Sequence, residues 1–251
     1  MIKNLLRGST ALLLALGPLT LPATASATPL APGPVVADSA TLPQAATGAP
    51  APLAGAGALE QVLTLFDAID RLPLAAEHRE GYDRRLYKHW NKGLNATDGC
   101  NTRKEVILAE AVEAPQIGDR CALTGGSWLS KYDNVVVTDA ARLDVDHFVP
   151  LAEVYDSEQA PWSPERREAY ANDQDSPDTL IAVTAASNRS KADKDPAEWL
   201  PSDATYHCAY AATWVGTKLR WDLAADEAER EALLGLAEDC PTTVVAYEPA
   251  G

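Results

Sequence analysis

The sequence predicts an α+β domain in which short strands form the centre and packing helices lie at both ends. Apolar residues recur at helical spacing near both ends of the region 58–240, and Gly-rich, β-branched segments lie between them. In the second half of this region the predicted order is strand, strand, helix. The region has the length of one ordinary domain and carries all 6 Trp residues, so a single core is expected.

Residues 1–27 have the features of a signal peptide. Lys3 and Arg7 precede an apolar stretch, 11–21, that is too short to span a bilayer, and A-x-A cleavage sites end at Ala25 and Ala27. The alternative, a retained signal anchor, requires a longer apolar run. No later stretch is apolar enough to cross a membrane. We therefore expect a secreted, extracellular protein with no membrane association after signal removal.

Two segments are expected to lack fixed structure. Residues 28–57 consist almost entirely of Ala, Pro, Gly, Thr and Leu, and such a composition cannot bury enough side chain to offset the entropy of ordering. Residues 241–251 are expected to form a flexible tail. The folded domain is accordingly assigned to residues 58–240.

The first half of the domain is predicted to begin with packing helices. An apolar period over residues 59–69 predicts one helix, which ends before Pro73, and the mixed stretch Tyr82–Trp90 is predicted to be helical. The sequence from Thr102 to Glu105 has the spacing of a capping box, so a further helix is expected to begin near Thr102. Glu105 is assigned to this cap.

Strands are predicted for the centre, and helices return after it. Pro150 prevents the strand 143–148 from continuing, and a helix over 149–155 can follow it. The other predicted strands fall within 121–132, 135–137 and 179–183; the other predicted helices cover 163–171, 185–194, 206–221 and 224–237.

The 4 cysteines favour two disulfides over free thiols, because their number is even and the protein is expected to be exported. Pairing by segment suggests Cys100 with Cys121 and Cys208 with Cys240, and the other connectivities stay open. Zinc modules usually bring cysteines in close pairs such as C-x-x-C, and no two cysteines here are that near. Structural zinc is therefore not expected.

The formal net charge of −15 argues against a protein that coats nucleic acid through overall electrostatics. The distribution of charge matters more, because acidic residues are concentrated after Asp222. Basic residues form two local clusters that are solvated faces or a phosphate-attracting cleft. The clusters comprise Arg84, Arg85, Lys88, Lys92, Arg103 and Lys104 in one stretch, and Arg189, Lys191 and Lys194 in another.

One constellation carries a family resemblance: the run Asp144-Val145-Asp146-His147-Phe148-Val149-Pro150, the strand within 178–183, and the run Ser187-Asn188-Arg189-Ser190-Lys191-Ala192-Asp193. It resembles the HNH nucleases with their ββα-metal fold and is close to the HNH domain of RNA-guided CRISPR nucleases. The wider context is similar to the secreted HNH endonucleases of actinobacteria, related to the HNH domain of GmrSD-type restriction enzymes. That context comprises Asp98-Gly99-Cys100, Thr124-Gly125-Gly126, Asp195-Pro196-Ala197-Glu198-Trp199 and Lys218-Leu219-Arg220-Trp221, so the resemblance spans residues 60–240.

The resemblance implies metal-dependent endonucleolytic cleavage of DNA, with RNA as a further substrate. It assigns His147 as the general base, and Asp146 and Asn188 as catalytic ligands of one Mg²⁺ or Mn²⁺, with other divalent ions left open. A neutral histidine near pH 7 can deprotonate water, and a hard cation with oxygen ligands can stabilise charge on the phosphate. Side chains of consecutive strand residues point to opposite sides of the strand. The metal and the attacking water would therefore lie apart across the scissile phosphate only if the backbone bends near Pro150.

The resemblance also has departures and supporting residues. On the helix after Asn188, polar or cationic residues occupy the third position of the His-Asn-His set, so the metal rests on fewer protein groups. Asp144 is expected to orient a ligand or water, and Asp178 stands near a position that often holds a supporting Asn. Arg103 is either a phosphate clamp or a salt-bridged surface group. The remaining supporting or phosphate-binding candidates are Arg189 and Lys191.

Other residues have ordinary structural explanations. The histidines at 78, 89 and 207 are expected in surface or packing roles, and the tryptophans at 128, 162, 199, 214 and 221 in the core. Two alternative functions stay open for what is expected to be a monomer. One is a catalytically inactive secreted binding module on the same scaffold, and the other is a phosphodiesterase acting on phosphates other than nucleic acid.

Overall fold

The computed structural model describes residues 60–95 and 97–251, so the expected signal peptide and the segment 28–57 lie outside the described residues. The architecture is α+β, with helices interspersed among two-stranded antiparallel sheets. The strands are β1 (Gln61–Thr64), β2 (Gln116–Gly118), β3 (Ala122–Thr124), β4 (Trp128–Ser130), β5 (Val135–Val137), β6 (Leu143–His147), β7 (Leu180–Thr184) and β8 (Val244–Tyr247). The helices are α1 (Leu65–Arg71), α2 (Thr102–Ala109), α3 (Leu151–Ser157), α4 (Pro164–Ala171), α5 (Ala185–Lys191), α6 (His207–Trp221) and α7 (Glu227–Asp239).

The unit β6–β7–α5 has the order strand, strand, helix that the sequence predicts. The two strands are antiparallel, and their register runs from Leu143 opposite Thr184 to His147 opposite Leu180. Helix α5 begins directly after β7, because the Thr184 side chain accepts a hydrogen bond from the Ser187 backbone N–H and caps the first turn. The last residue of β6 and the middle of α5 are therefore fixed to one small scaffold.

Two hydrophobic clusters cover the two faces of this hairpin, where the sequence predicted a single core. Ile181 and Val183 belong to the larger cluster, which contains buried residues of α1, α3, α6 and α7. Leu143, Val145 and Ala182 belong to the smaller cluster, which includes Trp128 of β4. Because both faces are covered, the hairpin is held rigidly from two sides.

A buried network of charged groups joins α3, α6 and α7. Lys218 is fully buried, and its ammonium group contacts Glu153 at 2.7 Å, Glu229 at 2.5 Å and the hydroxyl of Ser157 at 3.0 Å. The two glutamates raise the pKa of Lys218, against the effect of burial. Removing one partner would leave an uncompensated charge in the core, so this network fixes how the helices pack.

The amino-terminal part of the domain differs from the prediction. Residues 61–64 form β1, and the helix begins only at Leu65, with Thr64 as its N-cap. The pairing of β1 with β8 overrides the helical period of the sequence. In the stretch 82–90 the structure has a single 3-10 turn, Arg84–Leu86, where the sequence predicted a longer helix.

The beginning of α2 also differs in detail. The helix begins at Thr102 as predicted, but Asn101 is the residue whose side chain caps it, by accepting from the Lys104 N–H. The Glu105 carboxylate accepts from the backbone N–H groups of Leu94 at 2.7 Å and Asn95 at 3.1 Å. The assignment of Glu105 to the cap was therefore wrong: this side chain holds the preceding loop.

The carboxyl-terminal residues are ordered, in contrast to the flexible tail that was expected. Strand β8 pairs with β1 over four residues, and Val245 is buried against the larger cluster. The Ala250 N–H donates to the carbonyl oxygen of Arg220 at 2.8 Å. Sequence composition did not indicate this strand because its partner lies at the other end of the domain.

Both disulfides have the pairing favoured by the sequence. Cys100 bonds Cys121, and Cys208 bonds Cys240. The first disulfide joins the loop before α2 to the segment before β3, and the second joins the first turn of α6 to the end of α7. All four sulfur atoms are consumed in this way, so none is available for a zinc ion.

Candidate functional site

A cavity of about 330 Å³ lies beside the end of β6. It brings together the three residues that the sequence assigned to catalysis, Asp146, His147 and Asn188. Further lining residues are Arg84, Val145, Pro150, Leu151, Arg189, Ala192 and Asp193. The strand end supplies an acid and a base, and α5 supplies an amide and a cation.

His147 is only 3% exposed, and its hydrogen bond determines which ring nitrogen is a base. Nε2 lies 3.0 Å from the carbonyl oxygen of Ala171, which can only accept, so Nε2 must carry the proton. Nδ1 then keeps its lone pair. Burial lowers the pKa of His147 to about 3, and the charges of His89, Arg84 and Lys191 act in the same direction. The imidazole is therefore neutral near pH 7.

Aromatic rings enclose the His147 imidazole. The Trp90 ring stacks on it with centroids 5.3 Å apart and planes 25° apart, and the Tyr170 ring stacks with centroids 6.1 Å apart. The ring of His89 meets it edge-on at 5.8 Å. These contacts, with the bond to Ala171, leave the imidazole little freedom to rotate.

Asp146 is buried and already has two hydrogen-bond donors. Its Oδ2 accepts from the Tyr132 hydroxyl at 2.9 Å and from the Lys191 ammonium at 2.6 Å, while Oδ1 accepts no hydrogen bond from a described residue. Burial raises the pKa of Asp146, and Lys191 acts against that rise. Burial has the opposite effect on Lys191, whose side chain is fully enclosed, and lowers the pKa of its ammonium group. One carboxylate oxygen is thus fixed by the protein.

Asn188 is oriented by Asp144. The Asn188 Nδ2 donates to Asp144 Oδ2 at 3.3 Å, and the Arg189 Nε lies 3.6 Å from the same oxygen. An amide whose NH₂ group faces a carboxylate presents its carbonyl oxygen on the other side. Asp144 therefore acts on the site through Asn188 and Arg189.

The side chains of Asp146 and His147 leave β6 on opposite faces. The ladder is regular through both residues, with Asp146 opposite Ile181 and His147 opposite Leu180, so no bend separates them. Their partners agree, since Asp146 contacts Lys191 of α5 and His147 contacts Ala171 at the end of α4. Both residues line the cavity because it lies at the strand end and not over one face.

The four remaining supporting candidates lie in different places. Arg103 donates to the carbonyl oxygen of Leu143 at 2.6 Å and does not line the cavity. Asp178 lines a separate groove of about 510 Å³ beside α6 and β8, and burial raises its pKa. Lys191 is enclosed, so it supports Asp146 and has no open path to a substrate phosphate. Arg189 does line the cavity and is 76% exposed.

A second group of oxygen ligands lies among Glu77, Glu153 and Asp156, each of which offers an atom within 4.8 Å of the others. Protein cations already face two of them: Lys218 contacts Glu153, and Arg79 contacts Asp156. Asp146 also faces a cation, but with Asn188 it lines a cavity that the neutral His147 lines as well. The cavity beside β6 is therefore the stronger candidate for metal chemistry.

Sequence reasoning missed Arg84, Trp90, His89 and Tyr132 as parts of this site. Arg84 was noted only as a member of a cationic cluster, and His89 was assigned to a surface or packing role. Nothing local marks Trp90 or Tyr132, because their contacts with His147 and Asp146 depend on how distant segments pack. A mixture of basic and aromatic residues in the stretch 82–90 was the one available signal.

The chain is similar to known proteins. Residues 87–236, more than half of the chain, match the family described as GmrSD restriction endonucleases, C-terminal domain. A protein of Arthroderma benhamiae (strain ATCC MYA-4681 / CBS 112371), described as an uncharacterized secreted protein, is 36% identical over 162 residues, which are 64% of this chain and 77% of that relative. No solved structure matches the chain.

The relative also bears on where the chain acts. Like that relative, the chain is a secreted protein. Within the described residues, no helix combines the length and apolar character that a membrane crossing requires. The family match covers β6, β7 and α5 and with them Asp146, His147 and Asn188. The chain therefore belongs to the family of GmrSD restriction endonuclease C-terminal domains.

Proposed function

We propose that the protein is a secreted, divalent-metal-dependent endonuclease that hydrolyses phosphodiester bonds of DNA. In this proposal His147 is the general base, Asp146 and Asn188 hold one metal ion, and β6–β7–α5 is a ββα-metal core. The observation that supports it best is the cavity at the end of β6, which a strand acid, a strand histidine and a helix amide all line. The family match gives independent support for a nuclease.

The proton transfer follows from the tautomer of His147. Because Nε2–H is bonded to Ala171, the free base is Nδ1, which accepts a proton from the attacking water. The water oxygen forms a bond to phosphorus, and the bond from phosphorus to the 3′ oxygen breaks. The departing 3′ oxygen takes a proton from solvent, so the products are a 5′-phosphate and a 3′-hydroxyl, and the imidazolium then returns its own proton to solvent. The stacked rings of Trp90 and Tyr170 keep the imidazole aligned throughout.

The donor atoms fit a hard divalent cation. A carboxylate oxygen and an amide oxygen are ligands that Mg²⁺ and Mn²⁺ accept, with water completing the shell. Tyr132 and Lys191 hold Asp146 Oδ2, so the orientation of the carboxylate is set before an ion binds. When bound, the ion supplies positive charge beside the phosphate and the departing oxygen.

Two other functions make different predictions. The net charge of −15 is compatible with a small phosphodiester substrate, which needs no extended cationic surface. A catalytically inactive binding module would bind nucleic acid without hydrolysing any phosphodiester bond. RNA is the further nucleic-acid substrate, because none of the proposed catalytic groups distinguishes a ribose from a deoxyribose.

The test is a cleavage assay with the purified secreted chain. Plasmid DNA, an RNA transcript and bis(p-nitrophenyl) phosphate are incubated with Mg²⁺, Mn²⁺ or EDTA. We expect DNA cleavage that EDTA abolishes, with a loss of about a hundredfold or more in His147→Ala and Asn188→Ala. His78→Ala is the matched control, because His78 is exposed and does not line the cavity.

Three outcomes would overturn the proposal. Cleavage that persists unchanged in His147→Ala would exclude that residue as the base. Turnover of the small diester without cleavage of plasmid would favour the phosphodiesterase, and folded protein that binds DNA but cuts no substrate with either metal would favour the binding module. Circular dichroism of each variant checks that the fold is intact.

A further inference from the structure

Arg84 brings a cation into the cavity from outside the β6–β7–α5 unit. It is the first residue of the 3-10 turn Arg84–Leu86, which Asp83 caps, and it lines the cavity together with Asp146, His147 and Asn188. It precedes residue 87, where the family match begins.

The other charged residues that line the cavity have protein partners. Asp146 pairs with Lys191 at 2.6 Å, Arg189 lies 3.6 Å from Asp144, and Asp193 lies 3.8 Å from Arg79. The Arg84 side chain has no hydrogen bond or ion pair with any residue that the structure describes. It therefore presents an uncompensated positive charge and a full set of N–H donors to the cavity.

The neighbouring Arg85 lies in the same turn but makes a local ion pair. Its guanidinium pairs with Asp83, its side chain is 90% exposed, and it does not line the cavity. The two arginines lie in the same turn and both are exposed, yet only Arg84 lines the cavity with His147. Comparing substitutions of Arg84 and Arg85 therefore distinguishes a contact made inside the cavity from a general effect of positive charge.

We propose that Arg84 is a phosphate-binding residue that holds the nucleic-acid backbone at the scissile phosphodiester. This inference rests on the proposed nuclease function. A guanidinium can donate two parallel N–H bonds to phosphate oxygens, and it remains charged at every accessible pH. On a chain with a net charge of −15, one unpaired cation inside the cavity attracts the phosphate locally against the overall negative charge. Arg189, on α5, provides a second cation of the same cavity.

The test is a binding assay that needs no turnover. A short fluorescent DNA duplex is titrated in EDTA with the full chain and with Arg84→Gln, Arg84→Lys and Arg85→Gln, at several salt concentrations. We expect Arg84→Gln to raise the Kd about tenfold and to reduce the slope of log K against log salt by about one. Arg84→Lys should keep the slope but recover only part of the affinity, because an ammonium group cannot form the paired bonds. Arg85→Gln should resemble the unmodified protein.

The outcomes distinguish this inference from the proposed function. If Arg84→Gln binds as the unmodified protein does, or if Arg84→Gln and Arg85→Gln weaken binding equally, the role of Arg84 is excluded even where DNA is cut. If binding depends on Arg84 but no metal supports cleavage, Arg84 is a phosphate-binding residue of a binding module, and the nuclease proposal fails. Arg84 is exposed, so thermal unfolding of Arg84→Gln should match that of Arg85→Gln, and a lower Tm would point to a structural role instead.

Discussion

The indole of Trp90 stacks on the imidazole of His147, with ring centroids 5.3 Å apart. Trp90 reaches this position with a backbone φ of 61°, a region that bulky residues rarely adopt. Such a conformation costs about 1–3 kcal/mol and persists only where the surrounding structure imposes it. The strained Trp90 lies directly beside the proposed base, so replacing Trp90 should change the rate of the reaction.

Replacing Trp90 should affect both the rate and its pH dependence. Trp90→Ala removes the ring that stacks on His147, and we expect kcat to fall about tenfold because the imidazole is less well aligned. Burial holds the pKa of His147 down, so exposure should raise that pKa and move the acidic limb of the pH profile to higher pH. Trp90→Phe should keep most of both properties. An unchanged profile in Trp90→Ala would contradict this role.

The ion pair of Lys191 and Asp146 should behave as a buried unit. Lys191→Met leaves Asp146 buried without its cation, and we expect a loss of about 3–5 kcal/mol in the free energy of unfolding near neutral pH. The double variant Lys191→Met with Asp146→Asn removes both charges and should recover much of that loss. Urea unfolding of the two single variants and the double variant measures the coupling. Additive effects would show that the pair is not coupled.

Glu110 should make the stability depend on pH. Its carboxylate accepts the Ala182 backbone N–H of β7, and burial raises the pKa of Glu110 from 4.5 to about 7. The folded state therefore binds this proton more tightly than the unfolded chain does. The resulting stabilisation is present below pH 4.5 and is lost as the pH rises through about 7.

Glu110→Gln isolates this effect, because glutamine stays neutral. Relative to this variant, the unmodified protein should lose about 2 kcal/mol of stability between pH 4.5 and about pH 8, a value reduced for partial exposure of the group. Urea unfolding at the two pH values gives the difference. Parallel pH dependences of the two proteins would exclude Glu110 as the source.

The carboxyl-terminal strand should contribute measurably to stability. Val245 is 1% exposed, whereas its neighbour Val244 is 56% exposed. Val245→Ala should cost about 2 kcal/mol through lost burial and the cavity left behind, and Val244→Ala about 0.5 kcal/mol or less. Thermal unfolding compares the two. Equal effects would mean that β8 does not hold the core as described.

Elements whose signals are local were predicted well. Ser163 and Pro164 mark the start of α4, and the strand of β7 and the helix α6 follow from their own apolar patterns. Asp146, His147 and Asn188 could be chosen as candidates because the two short runs that contain them carry the family resemblance. Their presence around one cavity required only that the two strands pair, which the predicted order strand, strand, helix already favours.

Features that depend on distant segments were not predictable. Strand β1 is four residues long and has helical spacing, and its partner β8 lies at the far end of the domain. The contacts of Trp90 with His147 and of Tyr132 with Asp146 likewise join segments whose relation no local pattern encodes. The assignment of Glu105 failed for a related reason, since a glutamate at the capping position can equally accept from a loop that folds back onto it.

The pairing of β1 with β8 places Gln61 opposite Tyr247, so the chain enters and leaves the domain at neighbouring points. A domain with adjacent ends can be joined to another protein, or inserted into one of its loops, without stretching either partner. The β1–β8 sheet therefore makes this domain suited to fusion with another protein or insertion into one.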